Sequence, residues 1–106
     1  MSVTEADEWR VSDLLIRDAG ATGRVMQDAA IVDIASHLRA FVDDADVYVQ
    51  KVVDDVQQYF HDTFIDTSWP RCPRHPNHPL WFRDGSWWCD RDEVAIAKLG
   101  ELESRT

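Results

Sequence analysis

Between Ile31 and Tyr59, the apolar residues Ile31, Ile34, Ala35, Leu38, Phe41, Val42, Ala45, Tyr48, Val49, Val52, Val56 and Tyr59 recur at steps of three and four. That spacing suits one face of an α-helix, which brings positions three and four apart together. Asp28, Asp33, Arg39, Asp43, Lys51, Asp54 and Asp55 largely avoid the stripe, so the surface it implies is amphipathic. One helix over the span would run on the order of 45 Å, which is long for a small globule. Asp43 or Asp44 is a competent N-cap. The pattern therefore predicts two helices, about 24–42 and 45–64, folded against each other. The alternative is one long helix paired with a second copy, because the heptad phasing from 31 to 59 also suits a short coiled coil. The expected core is Ile34, Leu38, Phe41, Val49, Val52, Val56 and Phe60.

A further helix precedes these. Thr4 can cap it, Asp7 stands at the capping-box position, and Trp9, Leu14 and Ile16 supply apolar contacts. Gly20 and Gly23 bracket the turn that ends it.

Charge and composition divide the chain near Thr67–Trp69. Residues 1–68 carry 14 acids against 5 bases, whereas residues 69–106 carry six of each. All four prolines and four of the five tryptophans (Trp69, Trp81, Trp87 and Trp88) lie beyond that boundary. The reading is an acidic helical region, 1–68, followed by a Pro- and Trp-rich module, 69–106, forming one compact unit. A chain of 106 residues suits one modest core. The fold class is mainly α with a small C-terminal β-hairpin, α+β. No apolar run approaches the roughly 20 residues that span a bilayer, and the acidic N-terminus is unlike a signal peptide. These features point to a soluble cytoplasmic protein with no membrane contact. The net charge of −9 disfavours nucleic-acid phosphates and favours a protein partner with a basic surface. A monomer and a homodimer through the helices both fit. The pairs Asp43/Asp44 and Asp54/Asp55 point about 100° apart on a helix, so they read as a solvated face, and His37 and His61 as ordinary partly buried histidines.

The chemistry concentrates between Trp69 and Asp92. Asp84-Gly85 between two aromatic runs is a strong hairpin signal. A two-residue turn there pairs Arg83 with Ser86, Phe82 with Trp87, Trp81 with Trp88 and Leu80 with Cys89. Alternation then places His78, Leu80, Phe82, Trp87 and Cys89 on one face, and Trp81 and Trp88 on the other. Cys72 and His75 arrive from the preceding loop. Borderline-soft donors in the pattern C-x2-H-x2-H-x10-C suit a tetrahedral structural zinc site, with Cys72, His75, His78 and Cys89 as ligands. Spectator thiols and a disulfide are the other readings of the two cysteines, and a cytosolic setting disfavours the disulfide. No catalytic or organic-cofactor signature accompanies the Cys–His pair, because no third orienting group or oxyanion-forming loop is evident.

The order Cys-Pro-x-His, then a hairpin, then Trp-x-Cys, resembles a zinc ribbon with one knuckle altered. It is also similar to the tails of short uncharacterised bacterial proteins with a Trp-Pro-x-Cys-Pro-x-His…His-Pro-Leu…Trp-x-Cys pattern. The resemblance spans about residues 57–92 and implies a metal-binding tail. It carries over Cys72 and His75 from the first knuckle and Cys89 from the second. The fourth ribbon ligand would fall at Asp92, a departure from the usual Cys or His, and His78 ranks ahead of it. Pro76 stands where a knuckle usually has glycine. Trp69, Cys72, His75 and His78 each precede a proline, a period of three that matches polyproline II. Either the chain bends there to gather its donors, or the prolines form a P-x-x-P edge flanked by Arg71 and Arg74.

For residues 93–99, Asp92 can cap a short helix ended by Gly100, or Val94-Ala95-Ile96 can add a third strand; the alanines favour the helix. The functional expectation is a small zinc-stabilised interaction or adaptor protein without catalytic activity. The alternative is a nucleic-acid-binding zinc-ribbon accessory protein, should the acidic helices face away from its arginines and aromatics.

Overall fold

The computed structural model describes residues 3–24, 27–63, 67–75 and 77–103. Three helices come first, α1 (Glu5–Ala21), α2 (Asp28–Arg39) and α3 (Ala45–Asp62). Three strands follow, β1 (Trp81–Arg83), β2 (Ser86–Cys89) and β3 (Val94–Lys98). The class is α+β with a C-terminal hairpin.

α1 starts where its cap requires. The Thr4 hydroxyl accepts the Asp7 N–H at 3.2 Å, and the Asp7 carboxylate accepts the Thr4 N–H at 2.9 Å. That bonding holds the Asp7 carboxyl below its usual range. The buried line of α1 is Val11, Leu15 and Ala19, at i, i+4 and i+8. Trp9 lies off that line and is 59% exposed, so it is not a core contact. Leu14 and Ile16 pack partly buried on its flanks.

The stripe from 31 to 59 divides into two helices. Asp44 Oδ1 accepts the N–H groups of Asp46 and Val47 at 2.9 and 3.1 Å, satisfying two donors at the start of α3. The single long helix is thereby set aside. α2 is shorter at both ends than the pattern implies, and Phe41 consequently falls in the loop after Arg39. There the helical phase no longer governs it, and Phe41 is 72% exposed, with its ring 5.0 Å from that of His37. Leu38, Val52, Val56 and Phe60 are buried, and Ile34 and Val49 pack partly buried against them. His37 is exposed, whereas His61 is half-buried. Tyr48 is buried, donates to the Ala35 carbonyl at 2.7 Å, and has its pKa pushed up to about 12, chiefly by burial.

The hairpin has the register read from the sequence: Trp81 faces Trp88, Phe82 faces Trp87 and Arg83 faces Ser86. Asp84 and Gly85 take φ of 52° and 81°, the two left-handed positions that a type I′ turn demands. The tail is strand β3, not a helix. Ser86 pairs with Lys98, Trp87 with Ala97, Trp88 with Ala95 and Cys89 with Val94, with a bulge at Ile96. The helix preference of alanine is a few tenths of a kcal/mol per residue. Completing a sheet on a marginal two-stranded hairpin outweighs that preference.

Sheet and helices share one core. Phe82, Trp87 and Cys89 point inward and, with Trp69, Cys72 and Leu80, join Val11, Leu15, Ile31, Val52, Val56 and Phe60 in a single buried cluster. Polar bonds fix the layers: Gln50 Nε2 donates to the Phe82 carbonyl at 2.9 Å, and Trp87 Nε1 donates to Asp18 Oδ2 at 2.8 Å. Trp81 and Trp88 lie on the other face of the sheet; Trp81 is 47% exposed, with its ring 6.3 Å from that of His61 near the end of α3, and Trp88 is half-buried. Among the described residues, no helix is long and apolar enough to cross a membrane.

Candidate metal centre

The loop before β1 is held from beneath by α3. Trp69 is fully buried, with its ring 4.4 Å from Phe60 and 5.6 Å from Trp87. The buried Gln57 amide donates to the carbonyls of Trp69 and Leu80 at 3.2 and 2.7 Å. His61 Nε2 also meets the Trp69 carbonyl, at 2.9 Å. These bonds fix the two ends of the loop, which doubles back on itself: Arg71 bridges Pro79, and the Cys72 N–H donates to the His78 carbonyl at 3.0 Å.

Between those ends the chain bends twice. The His75 N–H donates to the Cys72 carbonyl at 3.2 Å, and the His78 N–H donates to the His75 carbonyl at 2.9 Å. Successive i to i+3 bonds are turns, and polyproline II has no internal hydrogen bonds. The period of three thus becomes two tight turns, in place of a P-x-x-P edge.

The second half of the centre follows β2. Cys89 ends that strand facing inward, and the Asp92 N–H donates to Cys89 Sγ at 3.4 Å. Glu93, at φ 55°, completes the reversal into β3. This turn brings Asp92 back over Cys89 and against the first loop. Asp92 Oδ2 lies 3.1 Å from His75 Nε2 and 3.0 Å from Arg74 Nε.

One donor atom from each of His75, Cys89 and Asp92 lies within 4.8 Å of the other two. Tetrahedral zinc, with bonds of about 2.0–2.3 Å, separates its donors by roughly 3.3–3.8 Å. A group this tight could hold a metal ion after small side-chain adjustments. Cys89 is buried, while the side chains of His75 and Asp92 are 27% and 28% exposed, so an ion can enter from solvent.

Of the four ligands expected from the sequence, His75 and Cys89 belong to this group, and Cys72 and His78 stand outside it. Asp92, the ribbon position ranked behind His78, is the third member. Cys72 is buried with a free thiol, and it lines a pocket of about 350 Å³ together with His78, Trp81, Cys89 and Arg91. His78 is exposed, and its Nε2 lies 3.0 Å from Arg91 Nη1. The donor pattern does not predict these contacts of Arg74 and Arg91. Arg74 and Arg91 alternate with candidate donors in the sequence, which is the signal that points to them.

No family model, curated protein or solved structure matches the chain.

Proposed function

We propose that this protein is a small zinc-stabilised interaction module, an adaptor without catalytic activity. The observation that carries the reading is the convergence of His75, Cys89 and Asp92 from two turns on opposite sides of one hairpin. Neither turn contains much apolar surface, so a bound ion would tie together segments that packing secures weakly. Cys72 would supply the fourth donor by a side-chain movement: it is buried, lines the same pocket as Cys89, and starts the turn that carries His75. Four protein donors leave no open position, which suits a structural ion. The Asp92 N–H bond to Cys89 Sγ orients the sulfur towards the group. Arg74, now on Asp92, would yield its place to the ion.

The adaptor role rests on charge. Residues 1–68 carry all of the net negative charge, and a protein partner with a basic surface complements them. Dialysis against zinc, followed by a competition titration with a chelating dye, tests the site. Cys89→Ser and Asp92→Asn should each weaken affinity at least tenfold, whereas His78→Ala should leave it within threefold. Equal losses for all three variants, or none, would remove this ligand set.

A further inference from the structure

We propose that the outer face of the β-sheet binds single-stranded nucleic acid, with bases stacked on its tryptophans and phosphates on its cations. The inference goes beyond the zinc reading and stands on the sheet register. Strand alternation and the pairing place Trp81, Arg83, Ser86, Trp88, Ala95 and Lys98 on one face. That face holds two cations, two large aromatics and no acid.

Its arrangement is ordered. Trp81 and Trp88 are directly opposed across the hairpin, and Ala95 follows on β3, forming an aromatic row that ends on a small residue. The next row is Arg83, Ser86 and Lys98, with a cation at each edge. The Arg83 guanidinium carbon sits 4.2 Å from the Trp88 ring centroid, while Trp88 Nε1 is tied to the Arg83 carbonyl at 2.9 Å. His61 meets Trp81 as a T-shaped pair with centroids 6.3 Å apart. The platform is thus braced from within the fold.

The net charge of −9 would argue against any phosphate ligand if it were spread evenly. It is not. The acidic helices pack on the opposite face of the sheet, through Asp18–Trp87, Gln50–Phe82 and Gln57–Leu80. The acids bordering the outer face, Asp84, Asp90 and Glu93, lie in the turns at its two ends. Flat rings interleaved with guanidinium and ammonium groups match bases and backbone phosphates, the combination single-strand binders use. A folded duplex would present stacked bases that these rings cannot reach. An acidic peptide would satisfy the cations and leave the tryptophans with no flat partner.

The test is fluorescence anisotropy of a 5′-labelled twelve-nucleotide oligothymidylate titrated with the full chain, using protein of measured zinc content. Saturable binding is expected, with quenching of tryptophan emission. Two phosphate contacts imply a log–log salt slope of about −1.4, so raising salt from 50 to 200 mM should weaken binding about sevenfold. Trp81→Ala and the double change Arg83→Gln with Lys98→Gln should each weaken it at least fivefold. Trp81→Phe should retain most of the affinity. Circular dichroism checks that each variant is folded, and because Trp81 and Arg83 are exposed these changes should not unfold the protein. Absence of binding at 50 mM salt, or variants that bind like the wild type, would overturn the proposal. So would equally tight binding of a polyglutamate peptide through the same residues, which would assign the face to an acidic protein. A chain that takes up no zinc yet binds the oligonucleotide would sink the metal reading alone.

Discussion

Asp18 is a fully buried carboxylate in the middle of the molecule, and the tail of the sheet is hung on it. Its Oδ2 accepts Trp87 Nε1–H and the Gly100 N–H, both at 2.8 Å, and its Oδ1 accepts the Leu102 N–H at 3.0 Å. Asp18→Asn keeps the shape and can keep the first two bonds. Its amide nitrogen must then face the Leu102 N–H, leaving a donor against a donor. One buried unsatisfied group costs about 1–3 kcal/mol, and that is the expected loss. Asp18→Ala removes the acceptor for three donors. Partial entry of water limits the cost to about 3–5 kcal/mol. The pH dependence separates charge from shape. Burial raises the Asp18 pKa above its ordinary value, against the lowering effect of the bonds from Trp87, Gly100 and Leu102. A carboxyl whose folded pKa is raised contributes most below the unfolded value of about 3.9, and that contribution is lost as pH rises through the folded pKa. The stability gap between wild type and Asp18→Asn should therefore be largest in acid and shrink towards neutrality. Urea titrations of both proteins at a series of pH values measure this gap, and the titrations of the other acids largely cancel in the difference. A gap under about half a kcal/mol throughout, or one that widens with pH, would refute the reasoning.

Leu38→Ala should cost about 2–4 kcal/mol in denaturant titration, because Leu38 is only 8% exposed. Phe41→Ser, from the same sequence stripe, should change stability by less than about half a kcal/mol; a loss above 1 kcal/mol would mean that its ring is covered. Gln57→Leu orphans the Leu80 carbonyl and leaves the Trp69 carbonyl to His61 alone, and should cost about 1–3 kcal/mol in urea unfolding. It should also weaken zinc affinity, read by dye competition, although Gln57 touches no donor. Gly100 holds φ at 88°, and a Cβ there would collide with Leu14. Gly100→Ala should lower stability by about 1–3 kcal/mol in urea unfolding, and a neutral result would show that the tail is loosely held.

Local signals were read reliably where one interaction decides the outcome. Thr4 and Asp7 fix the start of α1, Asp44 fixes that of α3, and Asp84-Gly85 fixes the hairpin register, each within four residues of chain. Phe41 and Trp9 lie outside the core that the pattern assigns them, because hydrophobic character does not show where a helix ends or which flank its neighbours leave open. The alanines of the tail favour a helix locally, whereas Val94–Lys98 pairs with the open edge of β2, which no short window of sequence contains. Asp18 has no sequence signature of its own, and its role emerges only when Trp87, Gly100 and Leu102 arrive from 69, 82 and 84 residues away. At the candidate metal centre, the types of donor and their spacing single out His75 and Cys89, two of the three residues that the fold brings together. That Asp92 rather than His78 joins them follows from the turn after β2, where Glu93 at positive φ returns Asp92 over the Cys89 sulfur, a reversal that donor spacing does not contain.

Native mass spectrometry of the full chain, purified without chelator and under reducing conditions, tests the central claim most directly. The zinc reading predicts one zinc ion per chain. Acid or a chelator should remove it, since protons compete for the thiolate and imidazole donors, and Cys89→Ser and Asp92→Asn should lack it. A chain that carries no metal after zinc reconstitution, while tryptophan emission and circular dichroism show the sheet intact, would contradict the claim.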